Sequence, residues 1–246
     1  SDTGPRSTFV LGTISSSSDR LNNFELNEDI LSFGVTNDNV FLYATRGTGE
    51  LVVKSYEPES AVTVILFSIP FVDATISWGH DLAGPHTVYP KATRQLEGYV
   101  YSYVNGIANR INATGFGLAA VGSSVATIYS EIVDGQYRTY TINNDSLTPS
   151  QTPLVFMPEK CTFTNSSDTT AICGADFTDP SNLMPDSWYR GTDIADDAIW
   201  EYNTIRQSAS LLTDPETATG RQIDLINPRF STTDSNLFFQ NKSDQT

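Results

Sequence analysis

A short unit recurs five times along this chain, and its regular spacing constrains the fold more than any other feature. The unit consists of an aromatic or small residue, a polar turn and an apolar strand, and it begins at Phe33, Trp78, Ala120, Phe163 and Phe230. The intervals between these positions are 45, 42, 43 and 67 residues. The last interval equals one period plus an insertion, which we assign to the polar, proline-containing stretch 174–193. Self-similarity at a fixed period is typical of folds built from one repeated supersecondary unit.

Alternation of apolar and polar residues predicts that each period consists of β-strands. Segments rich in β-branched and aromatic residues, bounded by turn-forming residues, lie at 40–45, 50–56, 62–69, 98–104, 126–132, 137–142 and 236–241. Four strands per ~43 residues is typical of a β-propeller blade. A β-sandwich also has strands every ~8–12 residues, but without a period. We therefore expect an all-β chain, a β-propeller with four antiparallel strands per blade.

The number of blades stays open at this point. Strands expected within 1–32 and 228–246 could share one blade, which gives about five blades in a single domain over 1–246, with a loop insertion at 174–193. The alternative is a fragment of a six- to eight-bladed propeller. Within 193–212 the apolar residues have nearly helical spacing, so a helix is an alternative there. The repeat favours a strand at 198–204 instead.

The two cysteines, Cys161 and Cys173, are expected to form a disulfide bond. Their midpoint is Ser167, inside the polar turn cluster 165–168, so a hairpin would place them opposite each other on an antiparallel strand pair. Facing residues in such a pair lie at a Cα distance that a disulfide can bridge. Two free buried thiols are the alternative. A zinc site is disfavoured, because no second pair of Cys or His residues accompanies them.

The charge balance limits the partners of the chain. It has 14 Lys and Arg residues against 29 Asp and Glu residues, a formal net charge of −15. Such a chain cannot build the basic face of a nucleic-acid binder, and an anionic membrane surface would repel it. The longest apolar run, 61–72, is too short to cross a bilayer, so we expect membrane attachment only through an anchor outside this chain. The composition and the disulfide favour an extracellular, cell-surface or periplasmic location, with a neutral or basic protein or glycan as partner.

The sequence contains no strong motif of a catalytic site. His80 and His86 are the only histidines, neither lies in a recognisable triad setting, and no GxSxG motif is present. The Asp2-Thr3-Gly4 sequence has the letters of an aspartic-protease motif but occurs once, at a terminus. Acidic turns at 36–39 and 193–197 carry oxygen ligands for calcium, but neither completes a loop motif. We therefore expect no catalytic residues, metal or cofactor.

Paired carboxylates are the one catalytic feature with a structural rationale. Glycoside hydrolases use two acidic side chains, and a propeller can present such residues along its channel. The candidates are Asp81, Asp134, Asp176 and Asp193. Three tryptophans in the chain are few for a carbohydrate cleft. A glycoside hydrolase on a five-bladed propeller, or the propeller half of a larger hydrolase, is thus the alternative to a non-catalytic module.

Three segments carry a family resemblance. The stretch 228–239, PRFSTTDSNLFF, resembles the TolB-like propeller repeat, in which an aromatic-Ser pair, an Asp-containing turn and an apolar strand recur. The stretch 159–175, followed by 183–191 and 196–200, is similar to late blades of propellers in bacterial cell-surface proteins, where small PEGA-type domains can precede the propeller. The resemblance covers 30–246, with departures at Ala120 and in 80–85. It implies a binding scaffold outside the cytoplasm and transfers no catalytic residues.

The insertion 174–193 is the candidate binding element. Trp188, Tyr189 and Arg190 stand side by side in it, and Asp193 follows; Trp, Tyr and Arg are enriched at the energetic centres of protein interfaces. Insertions between blade strands lie on one face of a propeller, often the binding face. We expect these side chains to be exposed and binding to centre on 182–193. The alternative is that Trp188 only fixes a long loop to its own blade.

Overall fold

The computed structural model describes residues 9–13, 22–26, 28–58, 60–146, 148–176 and 181–244. The chain divides into two units, Ser1–Val72 and Asp73–Thr246. In both units the regular structure is almost entirely antiparallel β-sheet, so the prediction of an all-β chain is confirmed. No helix in these described ranges is long and apolar enough to cross a membrane.

The first unit contains a strand pair and one complete four-stranded sheet. Strands β1 (Phe9–Thr13) and β2 (Asn22–Leu26) pair with each other. The four-stranded sheet follows in chain order as β3 (Ile30–Val35), β4 (Phe41–Arg46), β5 (Leu51–Glu57) and β6 (Val62–Ile69). Strand β4 is almost wholly buried whereas β6 is mostly exposed, so the sheet buries its inner strands and leaves its last strand at the edge.

The second unit contains three further four-stranded sheets and a final strand pair. The first sheet is β7 (Ala74–Ser77), β8 (His86–Pro90), β9 (Glu97–Val104) and β10 (Ile107–Phe116), and the second is β11 (Ala120–Gly122), β12 (Ala126–Val133), β13 (Gln136–Asn143) and β14 (Ser150–Gln151). The third is β15 (Cys161–Thr164), β16 (Ser167–Asp176), β17 (Asp197–Asn203) and β18 (Ser208–Thr213). Strands β19 (Leu225–Phe230) and β20 (Leu237–Asn241) form the pair. A 3₁₀ turn at Pro158–Lys160 and two short helices, α1 (Asp186–Tyr189) and α2 (Pro215–Thr219), complete the unit.

The sequence repeat corresponds to the first hairpin of each sheet. Phe33, Ala120, Phe163 and Phe230 lie in the first strands β3, β11, β15 and β19, and Trp78 directly follows β7. The polar turn of the unit therefore connects the first and second strands. Four antiparallel strands per period, as predicted, form each complete sheet. A single domain whose terminal strands share a blade stays a prediction.

The segment 193–212 contains strands, so the helical alternative is wrong. Strand β17 pairs with β16 from Thr170↔Asn203 to Asp176↔Asp197, and β18 pairs along its other edge. Exposed Leu211 and Leu212 on the edge strand β18, with the buried Ala198 and Tyr202 on β17, produce the apolar spacing that resembles a helix. Pairing with β16 therefore makes this segment a strand, although its local apolar periodicity is nearly helical.

The predicted disulfide is confirmed. Cys161 and Cys173 face each other in the β15–β16 pair, with a Cα–Cα distance of 4.1 Å and an S–S bond of 2.06 Å. Both residues lie in an apolar cluster with Phe156, Phe163 and Tyr202, which packs this sheet against residues of the preceding sheet. The bond thus joins the first two strands of the sheet whose β16–β17 connection carries the insertion.

Candidate functional site

A cavity of about 440 Å³ lies beside the β16–β17 connection in the second unit. Its walls combine carboxylate, aromatic and thioether side chains with one ammonium group. The lining residues are Tyr137, Val155, Met157, Lys160, Gly174, Ala175, Asp176, Ser181, Met184, Trp188, Thr192, Asp193, Ile194, Ala195 and Asp197. Insertion residues therefore form a large part of the wall. Of the insertion, residues 177–180 lie outside the described part of the chain.

Trp188 is buried, so the expectation that it is exposed is wrong. Trp188 is only 5 % exposed, and its indole N–H donates to both carboxylate oxygens of Asp224, at 2.9 and 3.0 Å. Asp224 directly precedes β19. The indole thus fixes helix α1 to the start of the following strand pair. A binding role of Trp188 stays a prediction, but its side chain is first of all an anchor.

Lys160 makes a buried ion pair with two aspartates beneath this anchor. Its Nζ lies 2.6 Å from Asp197 Oδ2 and 2.7 Å from Asp224 Oδ1, and all three side chains are at most 2 % exposed. The backbone N–H of Leu225 donates to the same Asp197 oxygen at 2.8 Å, and Asn241 Oδ1 accepts from the backbone N–H of Asp224. A buried charge is tolerable only when it is paired and hydrogen-bonded in this way.

Asp197 has a strongly perturbed carboxyl group. Burial raises its pKa to about 6, although the Lys160 ammonium and the Leu225 N–H both act to lower it. Its second oxygen, Oδ1, is buried and accepts no hydrogen bond from the described residues. A perturbed carboxyl group in a cavity is a candidate functional residue, although structural ion-pair networks also shift pKa values.

A second ammonium group covers the outer face of the anchor. Lys242 Nζ lies 4.1 Å from the ring centroid of Trp188 and donates to the Trp188 carbonyl oxygen, while Lys160 Nζ is 5.4 Å from the same ring. Both distances are within the range of cation–π attraction. Partial burial lowers the pKa of Lys242, opposed by the nearby carboxylate of Asp224. The indole is thus held by a carboxylate at its edge and by two cations over its ring.

The remaining residues of α1 are fixed as well. Tyr189 is half-buried, and its hydroxyl donates to the carboxylate of Glu159, whose pKa is raised by burial. The backbone N–H of Arg94 donates to Asp186 at 2.8 Å, and its guanidinium donates to the carbonyl oxygen of Met184. The helix therefore has a single well-defined placement, although it is only one turn long.

The other predicted site residues are distributed unevenly. Arg190 is exposed, as expected, and Asp193 is half-buried in the cavity wall. Asp176 also lines the cavity, whereas Asp81 and Asp134 do not. The structure thus brings together two of the four carboxylates considered for glycoside hydrolysis and adds Asp197. The sequence interpretation missed Lys160 and Asp224, which lie far from the insertion in the chain.

Both histidines bind backbone atoms. His80 Nε2 lies 3.0 Å from the carbonyl oxygen of Phe163, and His86 Nδ1 accepts from the backbone N–H of Gly79 at 3.2 Å. Burial lowers the pKa of both imidazoles and favours their neutral forms. These contacts hold turns of the sheet and fit a structural role.

Comparison with known proteins gives the fold and nothing narrower. No protein-family model matches the chain, and no curated protein matches it in sequence. TolB from Acinetobacter baumannii is similar in structure, with a TM-score of 0.55 and 14 % identity over 90 % of this chain and 51 % of TolB. The tricorn protease gives a TM-score of 0.51 with 8 % identity, over 96 % of this chain and 27 % of that protein.

A third similar structure is itself a propeller domain. The β-propeller domain of the Trilobed protease from Pyrococcus furiosus gives a TM-score of 0.50 with 5 % identity, over 95 % of this chain and 68 % of that domain. The chain spans about half the length of TolB. Identities this low establish the fold alone. Together with the four-stranded sheets, these similarities show that the chain folds as a multi-blade β-propeller.

Proposed function

We propose that this chain is a non-catalytic binding module that works outside the cytoplasm and uses the β16–β17 connection as its binding surface. The observation that carries the proposal is the anchoring of this connection. The sheet does not need so long a connection, yet Trp188 and a buried ion pair fix its described part to the start of the following strand pair. A rigid element loses little conformational entropy on binding, which favours affinity.

The anchoring exposes a different set of side chains from the one expected. Leu183 is 58 % exposed and Ile194 is 55 % exposed. Arg190, which lies between them in the sequence, is also exposed. Exposed apolar side chains and a guanidinium within one connection are well suited to a protein interface, because the apolar groups supply area and the guanidinium supplies directional hydrogen bonds. We define this surface as the Leu183–Ile194 face.

Charge and the disulfide support the choice of partner and location. A net charge of −15 disfavours nucleic acids and anionic membranes, so the partner is a neutral or basic protein or glycan. Disulfide bonds persist mainly in oxidising compartments, which supports an extracellular, cell-surface or periplasmic location. Attachment to a membrane, or to PEGA-type domains, would come from segments outside this chain.

A hydrolase remains the second candidate because Asp176, Asp193 and Asp197 line one cavity. Glycoside hydrolysis requires one proton donor and one ionised carboxylate, and the raised pKa of Asp197 would suit the first role. The Lys160 ion pair opposes this, because the proton donor would have to leave its ammonium partner. A panel of chromogenic aryl glycosides tests the alternative: release that disappears in Asp193→Asn would support it.

Selection from a phage-displayed random peptide library tests the binding function. We expect enriched peptides to be neutral or basic. Leu183→Asp should weaken their binding at least ~10-fold, because it places a charge in an apolar contact. Arg190→Ala should weaken it less. The matched controls are Leu96→Asp and Arg206→Ala, which change exposed residues of the same types elsewhere in the second unit.

Two results would contradict the proposal. The first is that enriched peptides bind Leu183→Asp and Leu96→Asp equally well, which would place the binding surface elsewhere. The second is preferential enrichment of acidic peptides. Circular dichroism of each variant should match that of the unchanged protein, so that any loss of binding reports on the surface and not on unfolding.

A further inference from the structure

We propose that the cavity beneath helix α1 is a separate binding site for a small organic cation, a primary ammonium group on an apolar body. The cavity shares Ile194 with the Leu183–Ile194 face, but Leu183 does not line it, so substitution of Leu183 tests the two sites separately. Three properties of the wall carry the inference: its charge, its unused hydrogen-bond acceptors and its apolar surface.

The charge of the wall is negative. Asp176, Asp193 and Asp197 contribute three carboxyl groups, and Lys160 is the one basic residue among the lining residues. The ammonium of Lys160 is already shared between Asp197 and the buried Asp224. A ligand in the cavity therefore meets more negative than positive charge, which attracts a cation and repels a carboxylate or phosphate.

Three buried oxygen atoms of lining residues lack hydrogen-bond partners in the described part of the chain: the hydroxyl oxygen of Tyr137 and two carboxylate oxygens, Oδ1 of Asp197 and Oδ2 of Asp193. The residue Asp197 is 2 % exposed, so its free oxygen is removed from bulk water. An unsatisfied buried acceptor costs free energy, and most such atoms in folded proteins find a donor. Ionised carboxylates only accept hydrogen bonds, so the missing partner must be a donor, and an ammonium group offers three.

The rest of the wall suits an apolar body. Met157, Met184, Trp188 and Val155 contribute thioether, aromatic and aliphatic surface to the same cavity. The volume of about 440 Å³ falls within the range of small-molecule sites in proteins. Ile194, which is 55 % exposed, is also a lining residue, so the cavity reaches the surface and a ligand can enter.

A metal ion fits the wall less well than an organic cation. In residues 28–58, 60–146, 148–176 and 181–244, no group of three or more His, Cys, Asp or Glu side chains is placed to hold a metal ion. Hard cations such as calcium prefer six to eight oxygen ligands, which this partly apolar wall does not supply. An ammonium group needs only a few acceptors on one side and tolerates apolar surface on the other.

Calorimetric titration with three isosteric probes tests the proposal: 2-phenylethylamine, 2-phenylethanol and phenylacetate. At pH 7.5 we expect the amine to bind at least ~10-fold more tightly than the alcohol, because a hydrogen bond to a charged group contributes ~1.5–3 kcal/mol. Phenylacetate should not bind. Equal binding of amine and alcohol, or binding of phenylacetate, would overturn the assignment of a cation site. Absence of amine binding at millimolar concentration to the folded protein would overturn the site itself.

Asp193→Asn locates the site. Asp193 is only half-buried and makes no ion pair among the described residues, so the variant should fold normally while losing the amine affinity at least ~10-fold. The matched control is Asp145→Asn, which removes the same charge from an exposed turn that does not line the cavity. Equal amine affinity of both variants would refute the site.

Leu183→Asp separates this proposal from the binding function. The variant should keep its full amine affinity, because Leu183 is not a lining residue. Loss of amine binding in Leu183→Asp would contradict a cavity site that does not use Leu183, whereas loss of peptide binding alone would leave the cation site established.

Discussion

Replacing Trp188 should destabilise the second unit, and the size of the effect can be divided between the indole N–H and the ring. Trp188→Phe keeps most of the buried ring but removes both hydrogen bonds to Asp224. A hydrogen bond to a charged group contributes ~1.5–3 kcal/mol, and the Asp224 carboxylate keeps its ion pair with Lys160, so we expect a loss of about 2 kcal/mol.

Trp188→Ala should cost more, because it also removes the ring of a residue that is only 5 % exposed and loses the contacts of that ring with two lysines. Large-to-small substitution of a buried aromatic residue typically costs ~3–5 kcal/mol. The free energy of unfolding is measured by urea denaturation followed by far-UV circular dichroism, which does not depend on tryptophan fluorescence. Stability of Trp188→Phe within ~0.5 kcal/mol of the unchanged protein would refute the indole–Asp224 bond as an anchor. Unchanged stability of Trp188→Ala would refute burial of the side chain.

Two further predictions concern titration and the disulfide. The pKa of Asp197 is raised to about 6 in the folded chain, so the folded state binds the carboxyl proton more tightly than the unfolded state does. The free energy of unfolding that this carboxyl group contributes therefore falls as the pH rises from about 4 to 6. The free energy of unfolding of Asp197→Asn should not show this fall. An identical dependence of the unfolding free energy on pH in both proteins would contradict the prediction. The pair Cys161→Ala/Cys173→Ala should lose ~2–3 kcal/mol, and non-reducing digestion should yield one linked peptide pair; freely alkylated thiols in the native protein would contradict the bond.

The repeat and the disulfide could be predicted because both depend on short-range order. Phe163 marks the first strand of its sheet, and the turn that follows it places Cys161 and Cys173 opposite each other. Such a hairpin is specified by residues within a dozen positions, where spacing and turn chemistry are readable. The strand at 198–204 was predicted for the same reason, since the period required a third strand there.

The burial of Trp188 could not be predicted from the insertion alone. Its partner Asp224 lies 36 residues further along the chain, and Lys160, which holds the same carboxylate, precedes the insertion. Only tertiary structure brings these three residues together. A weak signal did exist: the chain has only four lysines, and Lys160 stands in the largely apolar stretch between Met157 and Phe163, where a charge needs a buried partner.

The acidic segment 193–197 was misjudged for a related reason. The sequence indicates an acidic turn that carries oxygen ligands for calcium, yet Asp197 begins β17 and is buried against Lys160. An acidic side chain at the start of a strand can point into the interior when a neighbouring element supplies a buried cation as its partner. Sequence alone gives the charge but not the partner, so the cavity formed by Asp193 and Asp197 emerges only in the folded chain.

The most direct test of the central claim is the ratio of two dissociation constants for one selected peptide, measured on Leu183→Asp and on Leu96→Asp. Both variants introduce the same charge at an exposed leucine of the second unit, and only Leu183 belongs to the proposed binding surface. The account predicts a ratio of ~10 or more at equal thermal stability, as expected for a residue near the energetic centre of an interface. A ratio of one would show that the anchored β16–β17 connection is not the binding surface.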